Sequence, residues 1–160
     1  SAFAVLYSFQ LRNLLKGIGQ QMKWSVRDES LHSKMGCKLF RHMCEEDNSL
    51  LSECREDIIA AAETMVNLEE KYINKMFEMG DVEGIKSYDL KQFIKKRTNE
   101  KLVELGYVDL GSYFAYDTKA ASNLDWFYHL TGGVTHTDFF ATRPTDYSKA
   151  GEGEDFEDIW

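Results

Sequence analysis

Glu29 and His32 lie three residues apart in a stretch whose apolar spacing predicts a helix. The face they share is one where core residues are expected, and it also carries Ile18, Met22, Ser25, Gly36 and Leu39. A buried carboxylate needs a partner of opposite charge, and a metal ion supplies one while also binding a neutral imidazole. The pair is therefore predicted to ligate a metal.

The chain carries only one such pair. In four-helix di-iron and di-manganese carboxylate proteins, two helices each provide one Glu and the other two each provide Glu-x-x-His. Among the four histidines, only His32 has a glutamate three residues before it; the others are His42, His129 and His136. The sequence thus holds about half of a dinuclear site, and the remaining ligands must come from elsewhere.

Length and charge favour one domain that does not bind nucleic acid. The 160 residues are 43% hydrophobic, enough for one real core, and the net charge is −8. Five acidic residues and no basic ones fall within residues 151–160. An acidic chain without a local Lys/Arg cluster is not expected to bind a phosphate backbone.

The cysteines and the hydropathy pattern favour a cytoplasmic protein. Cys37, Cys44 and Cys54 are odd in number and lack Cys-x-x-Cys spacing, which is typical of reduced thiols. No apolar run reaches the roughly 18 residues needed to span a bilayer. The first residues also lack the pattern of a signal peptide, so no membrane association is predicted.

The apolar pattern predicts four helices and an acidic tail. The helices are expected over residues 2–16, about 18–44, about 50–79 and about 87–105. Gly17 and Gly19 are expected to kink the first junction, whereas Gly80 and Gly106 are expected to end the third and fourth helices. Residues 123–127 are predicted to form a packed turn with aromatic anchors.

The tail from about residue 142 combines acidic residues with Phe156, Ile159 and Trp160. Such segments commonly become ordered in a groove of a partner, because the aromatic residues are buried there and the acids steer the encounter. A simple solubility tail is the alternative interpretation.

Four stretches of the chain together resemble the C-terminal half of the class I ribonucleotide reductase small subunit, the radical-generating subunit. The string Arg27-Asp28-Glu29-Ser30-Leu31-His32 is the most specific of them. The resemblance covers essentially the whole chain through four stretches, at residues 16–32, 68–80, 123–127 and 137–150.

The resemblance implies an all-α, ferritin-like helical bundle in which Glu29 and His32 ligate one metal of a dinuclear centre. It assigns to Asp28 a hydrogen bond toward a metal-ligating histidine on another helix and toward the radical-transfer chain. Tyr147 matches the tail tyrosine that relays the radical to the large subunit, and residues 147–160 match the segment that docks there. Family tails usually end in Phe or Leu, so Trp160 is a departure.

A full small subunit is about twice this length, and its first half supplies the ligands that are missing here. We therefore expect a C-terminal fragment of a split small subunit that works with a separate N-terminal fragment. Residues 1–141 would be its helical half-domain and residues 142–160 its flexible tail. Iron is the expected metal, with manganese or a mixed iron/manganese centre as alternatives, and the assembled small subunit is expected to dimerise.

Two other functions remain open at the level of sequence. Two copies could pair their Glu29/His32 motifs and complete a symmetric di-metal site with Glu63, an acid flanked by apolar residues. Alternatively, the chain could be a non-catalytic helical binding subunit with a vestigial site. The pair itself could also be a helix-surface pair joined by a hydrogen bond.

Overall fold

The computed structural model describes residues 1–127, and this part of the chain is all-α, as predicted. A single bridge between Val82 and Ile85 is the only strand-like pairing in that range. Tyr147 and the predicted tail lie outside the described residues. The elements are α1 (Ala2–Leu11), α2 (Lys16–Glu46), α3 (Leu50–Glu53), α4 (Arg55–Met76), α5 (Ser87–Leu105), a short 3-10 helix (Val108–Leu110) and α6 (Thr118–Ser122).

The break between α1 and α2 falls before the glycines that were expected to cause it. The chain turns at Asn13 and Leu15, whose φ angles are 64° and 49°. Gly19 instead lies inside α2, where a Cβ would come 2.4 Å from Oε1 of Gln10 on α1. The glycine therefore allows the two helices to pack closely, and the predicted kink at Gly17 and Gly19 is wrong.

Substituting Gly19→Ala is expected to lower the melting temperature by several degrees, because the added methyl group must push α1 away from α2. Gly36→Ala is the matched control in the same helix, since no atom lies within 4 Å of the point where its new methyl group would sit. That variant should be as stable as the parent or more stable by up to about 1 kcal/mol, because alanine is the better helix former. Thermal unfolding followed by circular dichroism measures both, and equal melting temperatures would contradict the packing role of Gly19.

The predicted helix over residues 50–79 is two helices, because the chain turns between α3 and α4 at Cys54. Asp47 starts this region as expected: its carboxylate accepts hydrogen bonds from the Ser49 amide at 3.0 Å and the Ser49 hydroxyl at 2.9 Å. These bonds lower the pKa of Asp47. Gly106 is the C-cap of α5 with a φ angle of 116°, as expected. In contrast, α4 ends at Met76 with Phe77 as its C-cap, so Gly80, with a φ angle of 115°, lies in the turn beyond the helix end.

One core cluster joins α1, α4, α5 and the turn after α6. Its centre contains Ile73 and Leu90, both fully buried. The predicted aromatic anchors are confirmed, because Trp126 stacks on Tyr7 at 6.3 Å between ring centroids and Phe127 meets the ring of Phe93 edge-on at 6.2 Å. The predicted turn over residues 123–127 is limited to Asn123 and Leu124, since residues 125–127 are helical.

A second cluster anchors the C-terminal part of α2. The ring of Tyr107 lies 6.4 Å from that of Phe40 on α2, and its hydroxyl donates to the carbonyl of Leu51 at 2.9 Å. Asn99, buried on α5, holds the following loop by bonding both the amide and the carbonyl of Phe114, each at 2.9 Å. The contact between Phe40 and Tyr107 holds the C-terminal part of α2, the helix that carries Glu29 and His32, against this cluster.

Candidate metal-ligating face

Glu29 and His32 lie side by side near the middle of α2, on its exposed surface. Oε2 of Glu29 is 3.8 Å from Nδ1 of His32, and the side chains are 65% and 66% exposed. Asp28 stands on the other side of the ring, with its Oδ1 3.8 Å from Nε2. A separation of 3.8 Å is too long for a hydrogen bond, so the two carboxylates lie only within ion-pair range of the His32 ring nitrogens. Within the described residues Glu29 and His32 are therefore a surface pair at ion-pair distance but without a hydrogen bond.

Residues 1–127 do not bury the face that was predicted to be the inner one. The chain packs α2 through a neighbouring face, which contains Gly19, Val26 and Cys37. On the predicted inner face, Ile18 is 42% exposed and Leu39 is 61% exposed. The reason is that α2 carries apolar residues on two sides, and only one of them meets α1 and α5.

The uncovered side of α2 is largely apolar around the Glu29/His32 pair. Met35, Leu39 and Met43 are all exposed there, and they follow the pair at helical spacing. We call this surface the ligand face and define it by Ile18, Glu29, His32, Met35, Leu39 and Met43. Exposed apolar residues grouped on one side of a helix are characteristic of an interface rather than of a free monomer surface.

Glu63 does not join the pair within one chain. Its Oε1 accepts a hydrogen bond from the hydroxyl of Tyr113 at 2.6 Å, and this bond raises the pKa of the tyrosine. No group of three or more His, Cys, Asp or Glu side chains suited to a metal exists among residues 1–127. A site with three or more protein ligands would need side chains from beyond that range or from another molecule.

A second histidine and glutamate pair lies on the same helix. Nδ1 of His42 is 3.3 Å from Oε2 of Glu45, with both side chains exposed, but here the histidine comes first in the sequence. Spacing alone would therefore select two pairs on α2. The Arg-Asp-Glu-x-Leu-His string distinguishes the first from the second.

The three cysteines are free, as expected for reduced thiols. Cys37 is buried between α2 and α5, and burial is the main reason that its pKa is raised. Cys44 and Cys54 are half-buried at the turn between α2 and α4, and desolvation raises the pKa of Cys44. None of the three forms part of the ligand face.

An open groove on α4 was not anticipated from the sequence. It has a volume of about 650 Å³ and is lined by Ala60, Ala61, Thr64, Met65, Leu68, Glu69 and Tyr72. Leu68 and Tyr72 belong to the periodic apolar pattern of α4, yet both are exposed. As on α2, the pattern identified apolar positions correctly but not which of them the chain covers.

The sequence model of one family, described as ribonucleotide reductase, small chain, matches residues 1–112. That range is well over half of the chain. The chain belongs to the ribonucleotide reductase small-chain family. Within the matched range lie α1, α2 and the whole ligand face.

Individual members of the small-chain family align along most of the chain. Probable ribonucleoside-diphosphate reductase small subunits of invertebrate iridescent viruses 3 and 6 are 32% and 29% identical to it. The alignments cover 94% and 100% of this chain but 39% and 50% of the viral proteins. The ribonucleoside-diphosphate reductase subunit beta of Chlamydia pneumoniae is 27% identical, over 94% of this chain and 42% of its own length.

The chain thus spans two fifths to one half of the length of these small-chain relatives. No solved structure matches it. Within residues 1–127, none of the helices combines the length and the apolar character that crossing a membrane requires.

Proposed function

We propose that this chain forms the C-terminal part of a ribonucleotide reductase small subunit and contributes Glu29 and His32 to a dinuclear metal centre. The remaining ligands are supplied by a complementary polypeptide that covers the ligand face. The proposal rests on one observation in a member of the small-chain family: the Glu29 carboxylate and the His32 imidazole are exposed among exposed apolar side chains of α2. In a free protein such a surface is unfavourable, whereas in an interface it is buried.

The donor set suits a transition metal of the expected kind. A carboxylate and a neutral imidazole are common ligands of iron and manganese, and a Glu-x-x-His pair on one helix is the arrangement used in di-metal bundles. Iron is the expected metal, and manganese or a mixed centre would use the same donors. When bound, such a centre supplies the oxidising equivalent from which the family generates its radical.

The side chains of α2 have separate roles in this arrangement. Glu29 contributes a negative charge and His32 a neutral nitrogen, while Asp28 hydrogen-bonds a neighbouring group and so orients it. Met35, Leu39 and Met43 exclude water once the complementary polypeptide is in place. A dry surrounding strengthens each electrostatic interaction of the ligands, because water no longer screens it.

The rest of the function depends on partners. The radical passes through Tyr147 to a large subunit, which binds residues 147–160 and reduces ribonucleotides to deoxyribonucleotides. The complementary polypeptide is the N-terminal part of the small subunit, carried on another chain, and the assembled small subunit is a dimer. Residues 147–160 lie outside the described range, so these assignments rest on the family resemblance of the sequence.

Metal stoichiometry tests the proposal. The chain alone should bind iron or manganese only weakly, because Glu29 and His32 provide two ligands and the site needs more. Co-purified with a small-subunit polypeptide that carries a second Glu-x-x-His helix, it should contain two metals per assembled subunit. Tight stoichiometric metal binding by the chain alone would favour a symmetric homodimer instead, and an assembled complex that contains no metal would favour a non-catalytic binding subunit.

A further inference from the structure

The basic residues of α2 form a single line along the helix. They stand at positions 16, 23, 27, 34, 38 and 41, separated by seven, four, seven, four and three residues, so they share one side of an α-helix. We call this line the basic stripe and define it by Lys16, Lys23, Arg27, Lys34, Lys38 and Arg41. It extends over roughly 38 Å at 1.5 Å per residue.

The charges of the basic stripe are largely unopposed. Lys16, Lys23, Lys34, Lys38 and Arg41 are exposed, and none of them takes part in an ion pair within residues 1–127. By contrast, several cations of α5 are paired, including Lys95 with Glu70, Lys96 with Asp125 and Lys101 with Glu104. These five cations without an ion pair contrast with the net charge of −8 of the chain.

The basic stripe and the ligand face are on opposite sides of α2. At about 100° per residue, the centre of the stripe lies roughly 170° around the helix from the midpoint between Glu29 and His32. A polypeptide that covers the ligand face therefore leaves the stripe open. Of the four acidic residues of α2, only Glu45 lies on the side of the stripe, beyond its C-terminal end, and it already contacts His42.

We propose that the basic stripe binds the acidic C-terminal segment of this same chain, residues 151–160. That segment has five carboxylates, at positions 152, 154, 155, 157 and 158, and no cation, so its charge complements that of the stripe. Its apolar residues are Phe156, Ile159 and Trp160, and Trp24 stands exposed beside the stripe to receive one of them. The chain from residue 128 to residue 150 can span at most about 80 Å, which is about twice the length of the stripe.

A nucleic acid is the less favourable occupant. The acids of the chain as a whole repel a phosphate backbone at long range, whereas a tethered acidic segment is held near the stripe at a high effective concentration, on the order of millimolar. The stripe also contains four lysines and only two arginines, and arginine is the residue preferred for bidentate phosphate recognition.

Binding of the segment to the stripe has a consequence for its availability. A segment bound to α2 must leave the stripe before it can bind any other protein. Binding to the stripe therefore competes with docking and lowers the apparent affinity of the segment for its partner. The contact between the stripe and residues 151–160 does not depend on whether Glu29 and His32 bind a metal.

Carbodiimide cross-linking of the full 160-residue chain tests this contact, because the reagent joins a lysine amine to a carboxylate that touches it. Mass spectrometry should find residues 151–160 linked to Lys16, Lys23, Lys34 and Lys38 at least five-fold more often per lysine than to the exposed Lys71, Lys86 and Lys119. The yield should not depend on protein concentration, since the contact is within one molecule. It should fall several-fold in 1 M NaCl, where the screening length is about 3 Å.

Matched variants sharpen the test. The triple variant K23E/K34E/K38E should abolish the links to the remaining Lys16, whereas K71E/K86E/K119E, which makes the same change in net charge, should leave the stripe links intact. Adding E154K/E157K/D158K to the first variant should restore cross-links in the reversed sense, now from tail lysines to stripe glutamates. Circular dichroism confirms that each variant keeps its helices.

Several results would overturn the proposal. The contact would be contradicted by equal cross-link frequencies on all exposed lysines. It would also be contradicted by cross-links that persist in K23E/K34E/K38E, or by the absence of cross-links in the charge-swapped variant. A yield that rises with protein concentration would mean that the segment of a second copy occupies the stripe. The stripe would instead be a nucleic-acid site if it bound a single-stranded oligonucleotide with a submicromolar dissociation constant at physiological salt, while residues 151–160 cross-linked to it no more often than to other lysines.

Discussion

Glu29→Ala and His32→Ala should each reduce metal affinity of the assembled small subunit by about 100-fold or more and bring reductase activity to background. Removing a residue that only orients a ligand typically costs about 10- to 100-fold, so loss of a ligand itself should cost at least as much. Asp28→Asn should fall in that intermediate range, because the residue keeps its size but loses its charge. Metal analysis, radical content by electron paramagnetic resonance and nucleotide reduction measure the three variants.

The second pair on α2 provides the control. His42→Ala and Glu45→Ala remove the same two side-chain types, from equally exposed positions, on the same helix. They should leave metal content and activity unchanged. Glu63→Ala should also be silent, since Glu63 is engaged by Tyr113, whereas its loss would be severe in a symmetric homodimeric site. Full radical yield in Glu29→Ala would instead mean that the site is vestigial and that the chain acts as a binding subunit.

The elements of this chain could be predicted from its sequence because their apolar residues recur at helical spacing. The pattern located α2 and α5 to within a few residues, and Gly106 marked the end of α5. Local detail was harder. The break after α1 arises at Asn13, a residue type that tolerates a positive φ, and at Leu15, a residue type that rarely adopts one. Gly19, in contrast, serves close packing.

The covered faces could not be predicted, for a physical reason. Hydrophobic periodicity reports which positions are apolar, but α2 is apolar on one side at Val26 and Cys37 and on another at Leu39 and Met43. Which side this chain buries depends on where α1 and α5 lie. The basic stripe was also missed, because its cations are spread over residues 16–41 and only the helix brings them into line.

Leu39→Asp should weaken assembly with the complementary polypeptide by roughly 100- to 5,000-fold while leaving the isolated chain folded. Leu39 is 61% exposed in this chain, so a polar residue there should change the free energy of unfolding by only about 0.5 kcal/mol. In the assembly the same position is covered, and an unpaired buried charge costs about 3–5 kcal/mol. The dissociation constant of the two polypeptides, measured by sedimentation or calorimetry, reports this difference.

Lys34→Asp is the control that distinguishes an effect at the ligand face from the effect of an aspartate placed elsewhere on α2. It introduces the same residue into the middle of the same helix, but on the basic stripe, and assembly should be unaffected. Val108→Asp places an aspartate at another exposed apolar position, outside α2, and should be equally silent. If Leu39→Asp assembled as tightly as these two controls, the exposed apolar side of α2 would not be the surface that the complementary polypeptide covers. Glu29 and His32 could then not share a metal with that polypeptide.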